Sequence, residues 1–138
     1  MRPVLQHVDL VSKDVAALVA FYRRLGLQIA TDIVWPDESA PQHVGIDLPN
    51  GMHLSLSGEQ MTSGYAPTWK GLERAGKILI FGVADRDAVD ERHADMVGAG
   101  YADHVSPFDA FWGSRYAIVD DPDGNPVGLM SPSDRPHE

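Results

Sequence analysis

Three histidines, His7, His43 and His53, stand in short stretches that read as extended chain, and two of them have a polar companion two residues on: His7 precedes Asp9, and His53 precedes Ser55. In a strand, residues two apart share a face. His7 and Asp9 therefore have the spacing of a general base and its orienting partner. A pair of these imidazoles with Asp9, His43 joining from a neighbouring strand, is a candidate metal set. The simpler reading of each imidazole is a polar wall or surface residue. His53 and Ser55 share a face but lack an identifiable orienting acid. Gly-x-Ser-x-Gly and a Gly-rich phosphate loop are both missing, so a serine hydrolase is not expected.

A second set is aromatic. Trp35, Tyr65, Trp69, Phe108, Phe111 and Trp112 fall in expected loops or at strand ends. Indole and phenyl faces stack on planar ligands and attract cations. The alternative role is to plug the end of a pocket or to meet a second copy of the chain. Arg115 follows this set. It offers a fork for a ligand carboxylate, or for a structural salt bridge with one of the many acids.

The chain has 138 residues, 43% of them hydrophobic, enough for one compact domain or two small fused modules. A formal net charge of -9, with no basic run, argues against nucleic acid as a partner. The absence of cysteine excludes disulfides, thiolate metal sites and a cysteine nucleophile. No apolar run approaches the roughly 20 residues that span a membrane, and the N-terminus lacks a signal-peptide pattern. The expected location is the cytoplasm.

The elements that carry these residues follow from periodicity. Val4 to Val11 reads as a strand. Asp14 is a suitable N-cap for a helix from Val15 to Leu25, with Val15, Leu18, Val19, Tyr22 and Leu25 on one face and Gly26 ending it. Leu27 to Trp35, Gln42 to Leu48 and Met52 to Ser57 read as strands, the last two joined by Pro49-Asn50-Gly51. From Gly58 to Gly76 there is no clear periodicity, beyond a short helical turn near Leu72. The pattern then restarts. Lys77 to Val83 is a strand, and Asp85 caps a helix from Arg86 to Val97, with Val89, His93, Met96 and Val97 on one face. Tyr101 to Val105 is a strand, and Pro107 to Gly113 an aromatic loop. Ser114 to Val119 and Pro126 to Met130 flank the turn Asp121-Pro122-Asp123-Gly124-Asn125. Alternation places His7, Asp9, His53, Ser55, Ser57, Ile78, Ile80, Gly128 and Met130 on one face. Val8, Leu10, Leu54, Leu56, Leu79, Phe81, Val127 and Leu129 fall on the other, purely apolar one.

This duplicated strand-helix-strand-strand-strand order resembles the vicinal-oxygen-chelate superfamily, which includes glyoxalases, bleomycin-resistance proteins and dioxygenases. Three phrases carry the resemblance. They are His7-Val8-Asp9-Leu10-Val11-Ser12-Lys13-Asp14 with Leu25-Gly26-Leu27, Phe81-Gly82-Val83-Ala84-Asp85 with Gly98-Ala99-Gly100, and Asp121 through Val127. The resemblance implies an α+β fold of two βαβββ modules, residues 1–58 and 77–132, forming a cup-shaped mixed sheet with helices outside. Residues 59–76 would link the modules and 133–138 form a tail. It also implies a homodimer.

Carried over position by position, the superfamily's four metal ligands fall on His7, Ser55, Ile78 and Gly128. Only His7 is an ordinary ligand, so a catalytic divalent metal is not expected; the alternative is a metal held through His7. The resemblance then implies a protein that sequesters a planar or aromatic antibiotic. Its expected ligand-binding residues are His7, Asp9, Trp35, His43, His53, Ser55, Trp69, Phe108, Phe111, Trp112, Arg115 and Met130. The alternatives are a superfamily enzyme (a metal-dependent lyase, isomerase or dioxygenase, or a metal-free catalyst using His7 and Asp9) and a regulatory interaction module.

Overall fold

A computed structural model describes residues 2, 5–65 and 77–134. Val4, Trp69, most of the expected linker and the last residues of the tail lie outside them. The chain divides into two units, 1–73 and 74–138, and the fold is α+β with one four-stranded mixed sheet in each.

The first unit runs β1 (His7–Ser12), α1 (Val15–Leu25), a 3-10 turn (Thr31–Ile33), β2 (Val34–Trp35), β3 (His43–Asp47), β4 (His53–Gly58) and α2 (Glu59–Tyr65). Asp14 starts α1 by accepting from the Ala17 amide at 3.1 Å. Gly26 ends it at φ 122°, a conformation that a side chain disfavours. Val15, Leu18, Val19, Phe21, Tyr22 and Leu25 are buried along one stripe, which packs against the sheet at β4. Fully burying an apolar side chain of this size contributes about 1.5–3 kcal/mol. The sheet order is β1-β4-β3-β2, with β1 and β4 parallel and the other pairs antiparallel.

Two expectations for this unit are corrected. The stretch Leu27 to Trp35 is not one strand; only Val34–Trp35 pairs. The Arg23 guanidinium takes the Ile29 carbonyl at 2.9 and 2.8 Å, and Thr31–Ile33 coils, so this backbone has partners other than a neighbouring strand. The segment after Gly58 holds a seven-residue helix where no periodicity marks one. Thr62 donates back to the Gly58 carbonyl at 3.1 Å.

The second unit runs β5 (Leu79–Gly82), α3 (Arg86–Gly98), β6 (Asp103–Asp109), β7 (Arg115–Asp120) and β8 (Pro126–Met130). Its order, β5-β8-β7-β6, repeats the first unit's topology, again with the first and last strands parallel. Asp85 caps α3 through the Ala88 amide at 2.8 Å, and Val89, His93 and Met96 are buried beneath it. The expected aromatic loop at Pro107 is corrected: β6 continues through Phe108, which pairs with Tyr116. Pro107 is tolerated because β6 is an edge strand with a register shift between Val105 and Phe108. In the turn before β8, the buried Asp121 carboxylate accepts from the amides of Asp123 and Asn125, both at 2.9 Å, and from the Asn125 side chain. Among the described residues no helix is long and apolar enough to cross a membrane.

Candidate functional site

The first unit carries a polar sheet face. Register sets His7, His53 and Asp47 in one row across β1, β4 and β3, with Asp9, Ser55 and Gly45 in the next. Ser57 and His43 follow on β4 and β3, and Trp35 on β2 pairs with His43. Asp9 is the hub. Ser55 and Ser57, each only 1% exposed, donate to its Oδ1 at 2.8 and 2.7 Å. Each hydroxyl has one proton, and both are spent on Asp9. His7 Nε2, 2.8 Å from Ser55 Oγ, and His43 Nδ1, 3.2 Å from Ser57 Oγ, must therefore donate. In the neutral rings this leaves His7 Nδ1 and His43 Nε2 as acceptors.

His53 pairs through Nδ1 with Asp47 at 2.8 Å and packs edge-on against His7, ring centres 4.5 Å apart. Gly45 makes room for it: a Cβ there would stand 3.0 Å from His53 Nε2. Ser55 is thus no nucleophile, since its proton goes to a carboxylate rather than to an imidazole.

The second unit's corresponding face is apolar and aromatic. Tyr116 and Ile118 on β7 are buried there, with Val105, Trp112 and Met130 packed around them. Tyr116 meets Phe108 at 6.0 Å and Trp112 at 5.6 Å, both edge-on, and Phe111 leans on Trp112 at 5.0 Å. Ile78, Ile80 and Phe108 remain exposed, and Phe111 is 82% exposed. Gly128 lies under Tyr116: a Cβ added there would stand 2.9 Å from both Cε1 and the hydroxyl oxygen.

Among the expected site residues, His7, Asp9, His43, His53 and Ser55 form one connected group in the first unit, with Trp35 exposed beside His43. Phe108, Phe111, Trp112 and Met130 gather in the second. Arg115 is placed elsewhere. It alternates away from Tyr116 and bonds Asp90 on α3 at 2.9 Å and Asp109 at 3.3 Å. The Asp90 hydrogen bond makes its guanidinium still harder to deprotonate. Asp109 is also held by Arg86, whose hydrogen bond lowers its carboxyl pKa. Arg115 therefore serves an acidic cluster beside the helix and is not part of the aromatic face.

Sequence reasoning missed Tyr116. The available signal was a tyrosine alternating with Ile118, one strand away from a glycine. Tyr116 faces Met130 and Ile118 faces Gly128, so the ring reaches the glycine diagonally.

A model of the Glyoxalase/Bleomycin resistance protein/Dioxygenase superfamily matches residues 4–129, and the chain belongs to that superfamily. Several solved structures share its fold. A glyoxalase/bleomycin resistance protein/dioxygenase family enzyme from Burkholderia phytofirmans is 20% identical, with a TM-score of 0.77 over 92% of this chain and 97% of that one. Lactoylglutathione lyase from Agrobacterium tumefaciens is 23% identical, with a TM-score of 0.67 over 94% of each chain. TioX from a Micromonospora species is 21% identical, with a TM-score of 0.66 over 94% of this chain and 98% of that one. At these identities the likeness is one of fold. No curated protein matches the sequence.

The positions that correspond to a superfamily metal site do not fit an ion. The Ser55 hydroxyl is taken up by Asp9 and His7, and the side chains of Ile78 and Gly128 supply no donor atom, which leaves His7 Nδ1 alone where about three ligands are needed. The space beside Gly128 holds the Tyr116 ring. Nor is any other group of three or more His, Cys, Asp or Glu side chains among the described residues placed to hold one.

Proposed function

We propose that this chain binds a small planar organic molecule on the aromatic face of its second unit and releases it unchanged, protecting the cell by sequestration. The observation that carries this reading is the edge-on group of Phe108, Trp112 and Tyr116 beside exposed Ile80 and Phe111. Ring edges and faces fixed in this way favour a flat apolar guest. A planar antibiotic is the class expected, and a cytoplasmic homodimer the expected form. Calorimetric titration with planar polycyclic antibiotics, followed by mass analysis of the recovered ligand, tests the reading. Saturable binding with unaltered mass supports it, and a modified product overturns it. Light scattering of the eluting protein reads the oligomeric state.

The hydrogen-bonded chain Asp9–Ser55–His7 favours one second reading, metal-free proton transfer with His7 as base. A product whose formation is abolished in His7→Gln would establish it instead.

A further inference from the structure

The aromatic face of the second unit carries a phenol hydroxyl that bonds nothing among the described residues. Tyr116 is 7% exposed, its ring is held by Phe108 and Trp112, and its hydroxyl has no hydrogen-bond partner among the described residues. Its neighbours on that face, Ile80, Val105, Trp112, Ile118 and Met130, offer no side-chain oxygen or nitrogen acceptor. The ring is largely buried, yet its hydroxyl oxygen is not among the fully buried unpartnered atoms, so a molecule seated on this face can reach it. Burial also raises the phenol pKa, so the group keeps its proton at neutral pH and is available as a donor.

Gly128 fixes where that donor sits. The hydroxyl lies 2.9 Å from the point a Cβ would occupy at residue 128, and Ile80 Cγ1 lies 3.1 Å from it. The phenol thus fills the room that a longer residue 128 would need.

We propose that the Tyr116 hydroxyl is the specificity-determining group of this face, donating a hydrogen bond to an oxygen acceptor on the rim of a planar aromatic ligand. The ligand class is therefore a fused aromatic ring system bearing a ring carbonyl, a quinone or aryl ketone, packed against Trp112 and Phe108. This inference rests on the reading that the face binds planar molecules and adds the chemistry of the guest. A flat ligand laid over this apolar face would displace water from the hydroxyl and so strengthen the bond.

The test uses the full chain and two matched probes, 1,4-naphthoquinone and naphthalene, which share a ring frame and differ in the carbonyls. With no cysteine in the chain, thiol addition to the quinone cannot confuse the result. Binding is measured by calorimetry for the parent chain, Tyr116→Phe and Trp112→Ala, with circular dichroism confirming that each variant is folded. The parent should prefer the quinone by about 3- to 10-fold, the range of one net hydrogen bond. Tyr116→Phe should lose that preference while holding naphthalene as before, and Trp112→Ala should weaken both probes. Unchanged quinone preference in Tyr116→Phe would overturn the hydrogen-bond assignment and leave the planar-binding reading standing. Failure of the parent to bind either probe would overturn both.

Discussion

Replacing Gly128 with alanine asks whether the tyrosine is seated as described. The new methyl would stand 2.9 Å from Tyr116 Cε1 and from its hydroxyl oxygen, and 3.1 Å from Ile80 Cγ1. Ordinary contacts begin near 3.4 Å, so the ring must retreat by roughly 0.5 Å, and Trp112 and Phe108 stand around it. Overpacking of this kind costs about 1–3 kcal/mol. Gly128 is not in the left-handed region, so alanine also stiffens the unfolded chain and returns about 0.4–1 kcal/mol. The expected net loss is about 0–2.6 kcal/mol, a fall in Tm of up to roughly 10 °C, and about 1–3 kcal/mol relative to a glycine-to-alanine change that meets open space.

Gly82→Ala is the control, because nothing lies within 4 Å of its added methyl; it should leave stability unchanged or raise it slightly. Urea denaturation followed by circular dichroism reads both variants. The double variant Gly128→Ala with Tyr116→Ala should recover part of the loss, a coupling of at least about 0.5 kcal/mol. If Gly128→Ala is no less stable than Gly82→Ala, the packing of Tyr116 on Gly128 is refuted.

Asp9→Ala should cost about 1–3 kcal/mol, because two nearly buried hydroxyls lose their shared acceptor. The loss stays within that range because Ser55 and Ser57 can turn to donate to His7 and His43 once those rings change tautomer. Asp9→Asn keeps Oδ1 and should cost under about 1 kcal/mol; equal losses for the two variants would contradict the hub role. For Asp121, burial raises the carboxyl pKa against the lowering effect of Asn125. The protonated form is therefore the better tolerated one. The stability it adds is fully present below the ordinary value of 3.8 and is lost as pH climbs through the raised folded pKa. Asp121→Asn should gain on the parent as pH rises across that window, and urea midpoints that stay parallel from pH 3.5 to 6 would contradict this.

What the sequence made legible is what local chemistry alone decides. Asp14 and Asp85 cap their helices through a single side-chain bond each, and Gly26 supplies a conformation few residues share. The two-residue period placed His7, Asp9 and Ser55 on one face, and parallel pairing of β1 with β4 then brought them together. Features that depend on distant partners were not legible. Arg23 satisfies the Ile29 carbonyl where a neighbouring strand was expected to do so. Pro107 reads as a strand breaker until β6 is known to lie at an edge. Arg115 has plausible uses on either side of the sheet, and only Asp90 on α3 decides between them. Tyr116 drew no attention because its importance lies in a glycine twelve residues away on the next strand.

The outer margin of the second sheet carries its own consequence. β6 has Pro107 within it, slips register twice against β7 and begins and ends on aspartate. A further strand needs an unbroken run of amides and carbonyls at even spacing, and this margin does not present one. It is a poor template for edge-to-edge addition, so fibril growth has no ready starting point there. Two copies meeting at this end of the molecule would have to join through side chains rather than by extending the sheet.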